Sequence, residues 1–361
     1  MFEASTPFGV YVHIPFCASK CEYCAFATWT DREHLVERYL EALALDIRRA
    51  GRAGMPVATS VFVGGGTPTL VPAARLAEVI AAIPVVDGAE ITVECNPDDV
   101  TEPMLEHYVA AGVNRVSIGV QSMVSHVLGA LGRRHDRANV SRAVAAVQAV
   151  GLRTFNLDII YGAAGETVDD WRHTLDAVLE LDPPHVSAYA LTIEAGTPLA
   201  AQQDRHPDED DQAEKYEVAD DLLVATGLVN YEVSNWARSG HECDHNLLYW
   251  RQQDYRGFGC AAHSHAAGRR WWNLRTPERY IEAVIDGAST EAAGETLDDE
   301  TRRLEGLQLA IRMREGVPAK IFEDADLEEF IELGLFVRRG STITLTRSGR
   351  LMANAISLRM K

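Results

Sequence analysis

Cys17, Cys21 and Cys24 lie in the run Tyr11-Val-His-Ile-Pro-Phe-Cys-Ala-Ser-Lys-Cys-Glu-Tyr-Cys24 and are spaced C-x3-C-x2-C. Iron–sulfur cubes are held by cysteine thiolates, normally four. Three would leave one iron of a [4Fe–4S] cluster without a protein ligand, and an open position on a metal is where chemistry takes place. A structural zinc site wants a fourth ligand nearby, and no Cys, His or Asp follows Cys24 before Asp31. A disulfide framework belongs to small secreted chains, whereas this one opens Met-Phe-Glu-Ala-Ser without a signal-peptide pattern. The other cysteines, Cys95, Cys243 and Cys260, are isolated and read as buried small hydrophobes.

A cluster loop needs a scaffold. From residue 8 to about 233, short β-branched runs alternate with helical stretches, the pattern of a parallel sheet with crossover helices. The expected strands are Gly9–Ile14, Ser60–Val63, Glu90–Glu94, Arg115–Ile118, Thr154–Ile160 and His185–Ala190. Thr30-Asp-Arg-Glu33 has the form of a capping box ahead of Leu35, Tyr39, Leu43 and Ile47 at helical spacing. Thr101 before Glu-Pro103, and Thr167 before Val-Asp-Asp170, are further helix starts. Six such units predict an α/β fold, an open three-quarter (β/α)6 barrel over residues 1–233, with the active face at the strands' C-terminal ends. Polar outliers cluster at those ends: Gly64-Gly-Gly-Thr-Pro68, Glu94, Gln121 and Asp158. Residues 234–290, rich in Gly, His and Trp, are expected to form an irregular layer on the barrel. Residues 291–361 form a small winged-helix-like unit, with helices over Asp298–Met313, Pro318–Phe322 and Leu327–Leu333 and a hairpin around Arg339-Gly-Ser341.

The cysteine spacing resembles that of radical S-adenosylmethionine (SAM) proteins. Within them, Tyr11-Val-His-Ile-Pro-Phe-Cys17, the glycine turn, Val120-Gln121-Ser122 and Asp158-Ile-Ile-Tyr-Gly162 resemble the coproporphyrinogen dehydrogenase (HemN) and HemW branch, over essentially the whole chain. The resemblance implies that Cys17, Cys21 and Cys24 bind the cluster and that Tyr11, Tyr23, Gly65 and Glu94 surround the SAM attached to it. It also implies nucleoside or second-SAM contacts for Gln121, Arg133, Asp158, Gly66, Thr67 and Ala190.

Two departures separate the branches. The dehydrogenase carries a further cysteine two residues after the third cluster ligand, where this chain has Phe26, and a long N-terminal extension, where about ten residues here precede the first strand. Both point to the HemW, heme-chaperone branch, as does His245-Asn246-Leu-Leu-Tyr249-Trp250, which matches the H-N-x-x-Y-W run of that branch. Neutral imidazole is a common axial ligand of heme iron, so His245 is the expected heme ligand, with His263 or the Trp271 loop as the fallback. The competing role for His245 and Asn246 is hydrogen bonding of loop backbone. Arg269-Arg-Trp-Trp272 places cations beside indoles, materials for holding propionates, and is equally a packed loop. The spacing of His241, Cys243, His263 and His265 fits no zinc finger. Ala261 stands where the family usually has glycine.

The expectation is a cytoplasmic heme chaperone carrying a [4Fe–4S] cluster and SAM, which passes heme or a related tetrapyrrole to acceptor hemoproteins such as respiratory ones. The alternative is an oxygen-independent coproporphyrinogen III dehydrogenase, converting two propionates to vinyls. At 361 residues and 47% hydrophobic, the chain suits one large domain with an appendage. No apolar run approaches the ~20 residues of a membrane span. A net charge of −19 argues against nucleic acid as the main ligand, and the C-terminal unit, with 11 basic against 13 acidic residues, argues against a DNA-reading role. Oligomeric state is open at this level.

Overall fold

The computed structural model describes residues 6–360, so the opening Met-Phe-Glu-Ala-Ser lies outside the described residues. Six parallel strands, β1 (Phe8–Ile14), β2 (Ala58–Gly65), β3 (Val85–Cys95), β4 (Arg115–Gln121), β5 (Thr154–Tyr161) and β6 (His185–Ala190), stand in sequence order. They contain every expected strand, and most run further at one end or both. Their crossovers carry α1 (Val36–Arg52), α2 (Ala73–Ala81), α3 (Glu102–Ala110), α4 (Ser125–Ala130), α5 (Arg137–Ala149) and α6 (Val168–Leu179).

The alternation along each strand explains the layering, because successive side chains point to opposite faces. Val10, Val12, Ile14, Val61, Val63, Val93, Val116, Ile118, Leu157 and Val186 are buried in the core shared with the helices. The residues between them, among them Glu90, Glu94, Arg115, Ser117, Asn156, Asp158 and His185, face the barrel interior and are polar. That inward polar set is linked by hydrogen bonds. Ser117 Oγ donates to Asp158 Oδ2 (2.7 Å), Asn156 Nδ2 donates to Asp158 Oδ1 (2.8 Å), and His185 joins Asn156 Oδ1 (2.7 Å) to the Tyr231 hydroxyl (2.9 Å). Buried polar groups are stable only when paired, so this network fixes the interior as firmly as apolar packing fixes the exterior.

After α7 (Glu209–Ala225), β7 (Val229–Glu232) and β8 (Asn235–Ala237) pair antiparallel beyond β6. Beyond the short helix α8 (Asp244–Trp250), the chain returns to the other edge. There β9 (Asp254–Phe258) pairs parallel with β1, and β10 (His263–Ala266), β11 (Arg269–Asn273) and β12 (Glu291–Thr296) continue antiparallel, with α9 (Pro277–Asp286) before β12. The irregular layer expected over 234–290 is thus corrected to strands that extend one twelve-stranded open sheet at both edges. The cause is length: strands of three to five residues such as His-Ser-His-Ala show too few alternations for a pattern.

The C-terminal unit has α10 (Asp299–Ala310), β13 (Val317–Pro318), α11 (Asp324–Glu332), the hairpin β14 (Phe336–Arg339) and β15 (Thr342–Leu345), then α12 (Arg347–Leu351) and α13 (Ala353–Ser357), around its own core of Ile311, Phe322, Phe330, Phe336 and Ile343. The helix expected over Pro318–Phe322 shrinks to a single turn at Ala319–Ile321. The caps at Thr101 and Thr167 form, the latter as a reciprocal box with Asp170. The Thr30 box does not. The chain enters α1 through a single turn at Glu33–Leu35, beside which Arg32 pairs with Asp31 and Glu278. Among the described residues no helix is long and apolar enough to cross a membrane.

Candidate functional site

The loop after β1 carries the three cysteines and is tied down at several points. Trp29 N–H donates to Pro15 O (2.8 Å), Cys17 N–H to Trp29 O (3.1 Å) and Cys24 N–H to Cys21 O (3.2 Å). His13, at the end of β1, reaches into the loop through Nε2 to Ala27 O (2.9 Å), while its Nδ1 meets the Tyr11 hydroxyl (3.0 Å). From the opposite side Leu199 N–H donates to Glu22 O (3.0 Å), and Arg205 pairs with Glu22.

The glycine turn closes against this loop. Gly66 N–H donates to Ile14 O (2.7 Å) and Thr67 N–H to Phe16 O (2.8 Å). A Cβ on Gly66 would lie 2.6 Å from Phe16 O and 3.1 Å from Cys17 Sγ, so only glycine lets the two backbones meet. Gly65 has φ +108°, and a Cβ there would strike the His13 ring at 2.2 Å. Two independent constraints thus require these glycines.

Between the loop and the strand tips lies a cavity of about 770 Å³, reached by all three cysteines, Tyr23, Gly65, Gly66, Thr67, Glu94, Gln121, Arg133, Asp158 and Ala190. The structure therefore brings together residues drawn from five strand ends, the cysteine loop and, through Arg133, the connection between α4 and α5. Glu94 and Asp158 are the charges at its floor. Burial, and then the neighbouring Asp158, push Glu94 up to about 7, against the pull of the Gly65 amide on Oε2 (3.0 Å). Burial likewise raises Asp158, countered by Ser117 and Asn156. Two carboxylates in a desolvated pocket are a receptor for a cation. Arg133 holds the wall through Nη2 to Gly119 O (3.0 Å) and Asn96 Oδ1 (3.2 Å), with Nη1 3.9 Å from Cys21 Sγ. Gln121 sits at φ +63°, where the β4–β5 register shifts, which turns its side chain at the strand end.

The donor set fits an iron–sulfur cluster. Three thiols open on one cavity, the thiolate donor set that iron–sulfur clusters take. Burial raises the Cys17 and Cys24 thiols above their ordinary range, so thiolates here need a metal's positive charge.

Two expected site residues lie elsewhere. Tyr11 does not line the cavity; it stands behind the glycine turn, bonded to His13. His245 is corrected more fundamentally. Its backbone N–H donates to Glu90 Oε1 (3.0 Å), Nδ1 pairs with Ser60 Oγ (2.9 Å), Nε2 pairs with the Tyr249 hydroxyl (2.9 Å), and the ring stacks on Phe62 at 5.6 Å. Ser60 and Glu90 share a register row with Gly9 near the strands' N-terminal ends, so α8 seals the barrel at the end opposite the cysteines. With both nitrogens engaged and the ring buried, His245 offers no lone pair to an iron, and its pKa falls to about 3 through burial. The guanidinium of Arg269 is taken by Glu291 and packs 4.9 Å from the Trp271 ring, and that of Arg270 is taken by Glu295 and Glu305. Residues that sequence reasoning missed include Asn96 and Tyr189, which line the cavity, and Arg115, buried 3.9 Å from Glu90. Inward alternation on β4 and β6 was the available signal for Arg115 and Tyr189.

A partial barrel whose C-terminal mouth gathers three cysteines, a glycine turn and two buried carboxylates is the architecture of the radical SAM class, and the Radical SAM superfamily model matches residues 11–178. The chain is 38% identical to the heme chaperone HemW of Mycobacterium tuberculosis, across 97% of this chain and 94% of that protein. It is 36% identical to HemW of Escherichia coli K12, across 97% of each chain, and 32% identical to HemW of Bacillus subtilis, across 96% and 97%. The chain belongs to this HemW family. Among solved structures, coproporphyrinogen III oxidase (HemN) from E. coli shares the fold, with a TM-score of 0.83 at 23% identity over 98% of this chain and 89% of that one.

Proposed function

We propose that this protein is a radical SAM heme chaperone of the cytoplasm, which binds heme and delivers it to acceptor hemoproteins. The observation that carries this reading is 32–38% identity to HemW proteins over nearly the whole chain, combined with a three-thiol cavity lined in part by an exposed Phe26 two residues beyond Cys24. Cys17, Cys21 and Cys24 would hold a [4Fe–4S] cluster, and Glu94, Asp158, Arg133, Gln121, Tyr23, Gly65, Gly66, Thr67 and Ala190 would surround SAM. Such a cluster would supply an open iron that the amine and carboxylate of an amino acid can chelate. The chain's own part is to place the carboxylates of Glu94 and Asp158 in the same cavity as the thiols, to hold the loop against the glycine turn, and to fix it through His13. Tyr11 contributes by orienting His13.

The reading is tested by reconstituting the cluster anaerobically, loading hemin and following its passage to an apo-cytochrome by absorbance. In parallel, SAM, a strong reductant and coproporphyrinogen III are supplied. Heme transfer without protoporphyrinogen supports the chaperone. Protoporphyrinogen formation overturns it in favour of the dehydrogenase. Cys17→Ser should lose the cluster's visible absorbance, and a fully retained cluster would reject the proposed ligand set.

A further inference from the structure

His245 is sealed inside the barrel, so an imidazole offered to heme iron must come from another histidine. Most of the twelve histidines are committed. His13, His185 and His245 have both ring nitrogens bonded, His135, His206, His241 and the buried His265 each have one bonded, and His126 pairs with Asp170 at 3.4 Å. His34, His107 and His173 are exposed on helical turns without an aromatic neighbour. His263 differs from all of these. It is exposed, its ring nitrogens carry no hydrogen bond among the described residues, and its ring lies on Trp272 at 5.6 Å with 27° between the planes.

The position is built by the fold. His263 and Trp272 are directly paired on β10 and β11, and His265–Arg270 is the next pair on the same face. That face continues across β9 through Tyr255 and onto β1 through Tyr11, so it is the concave face of the sheet, the one that also presents Glu94 and Asp158. The turn feeding β10 is fixed tightly. Gly259 has φ +97°, Ala261 takes φ +57° without being glycine, and a Cβ on Gly257 would lie 2.1 Å from His263 O. Tyr39 anchors that turn by donating to His13 O (2.9 Å) while accepting from Cys260 N (2.9 Å). His263 therefore springs from the strand end that abuts the base of the cluster loop. The half-exposed guanidinium of Arg270 adds a cation on the same face, shared with Glu295 and Glu305.

Resting on the chaperone reading, we propose that His263 is the axial ligand of heme iron and that Trp272, stacked on its ring, holds the imidazole in place for the iron. An accessible imidazole supplies the nitrogen iron takes, and the indole stacked on it fixes the ring's orientation and meets a macrocycle with its apolar edge. The concave face then places heme on the side of the sheet that holds the cluster cavity, where cluster and cargo can sense one another.

The test is a hemin titration of the full, cluster-reconstituted protein, followed by the Soret band. The wild type should bind, and His263→Ala should lower affinity by about tenfold or more and change the Soret position, with an unaltered far-ultraviolet spectrum. Added imidazole should restore the band in His263→Gly. Trp272→Leu should weaken binding while keeping the wild-type band position, and His107→Ala should change nothing. Full affinity and an unshifted band in His263→Ala would overturn the proposal and leave the chaperone reading standing. A wild type that binds no hemin would remove both, which separates the two failures.

Discussion

Glu94 Oε2 accepts the Gly65 amide at 3.0 Å, and this one bond joins the tip of β3 to the turn that closes on the cluster loop. The carboxylate is otherwise buried beside Asp158, and its pKa near 7 records that conflict.

A pH dependence follows from that relationship. A cationic ligand is held by ionised Glu94, so SAM affinity should rise as pH passes upward through about 7 and then level. The effect on apo-protein stability has the opposite sign. The folded pKa exceeds the ordinary carboxylate value, so the protonated form is favoured in the fold, and stability is lost as pH rises from the unfolded pKa through about 7. Glu94→Gln should flatten both curves. Isothermal titration with SAM and urea denaturation between pH 5 and 8 would check this, and a steep SAM profile in Glu94→Gln would assign the titration to another group.

Gly66→Ala should impair the cluster without unfolding the barrel. The new Cβ would sit 2.7 Å from Ile14 O and 2.6 Å from Phe16 O, so the loop must move away from the turn. The expected result is reduced iron and sulfide per chain after reconstitution, with a melting temperature lowered by only a few degrees, roughly 1–2 kcal/mol. Wild-type cluster content would show that the loop has slack.

Removal of the His245 side chain should destabilise the whole barrel. Ser60 and Tyr249 would each lose a partner in a buried site, and the ring's volume would be left empty, which together cost about 2–5 kcal/mol. Guanidinium denaturation of His245→Ala against wild type measures this. A change below ~0.5 kcal/mol would mean that α8 does not seal the barrel in solution.

Asp220 should act as the acid-labile clasp of the C-terminal unit. Burial raises its pKa, but hydrogen bonds from Arg350 and Trp236, with Arg347, outweigh that and leave it below the ordinary value. A depressed carboxylate contributes stability above its unfolded pKa and loses it as pH falls, so the unit should loosen below pH ~4. Asp220→Asn should produce the same loosening at neutral pH, read as faster amide exchange in α12; unchanged exchange would place the holding force in the apolar contacts alone.

The strand order of the barrel could be read from the chain because each strand announces itself by period two, and in an α/β fold one face meets helices while the other lines the interior. The same strand reading marked Glu94 and Asp158 as acids at strand ends. It could not identify the edge strands beyond β1 and β6, where three to six residues carry too few alternations, nor show that Arg32 would pair with Glu278, 246 positions away.

The C-x3-C-x2-C spacing, the consecutive glycines and the polar strand ends are local, so the sequence alone determined that a three-cysteine loop sits on a partial barrel. The fates of the histidines were decided only in three dimensions. His245 is buried because Ser60, 185 residues earlier, and Glu90 close around it, whereas His263 stays free because its cross-strand partner is an indole that offers a face and no acceptor. Ligand capacity depends on which lone pairs the tertiary contacts leave unused, and contacts across such distances have no signature in the spacing of residues along the chain.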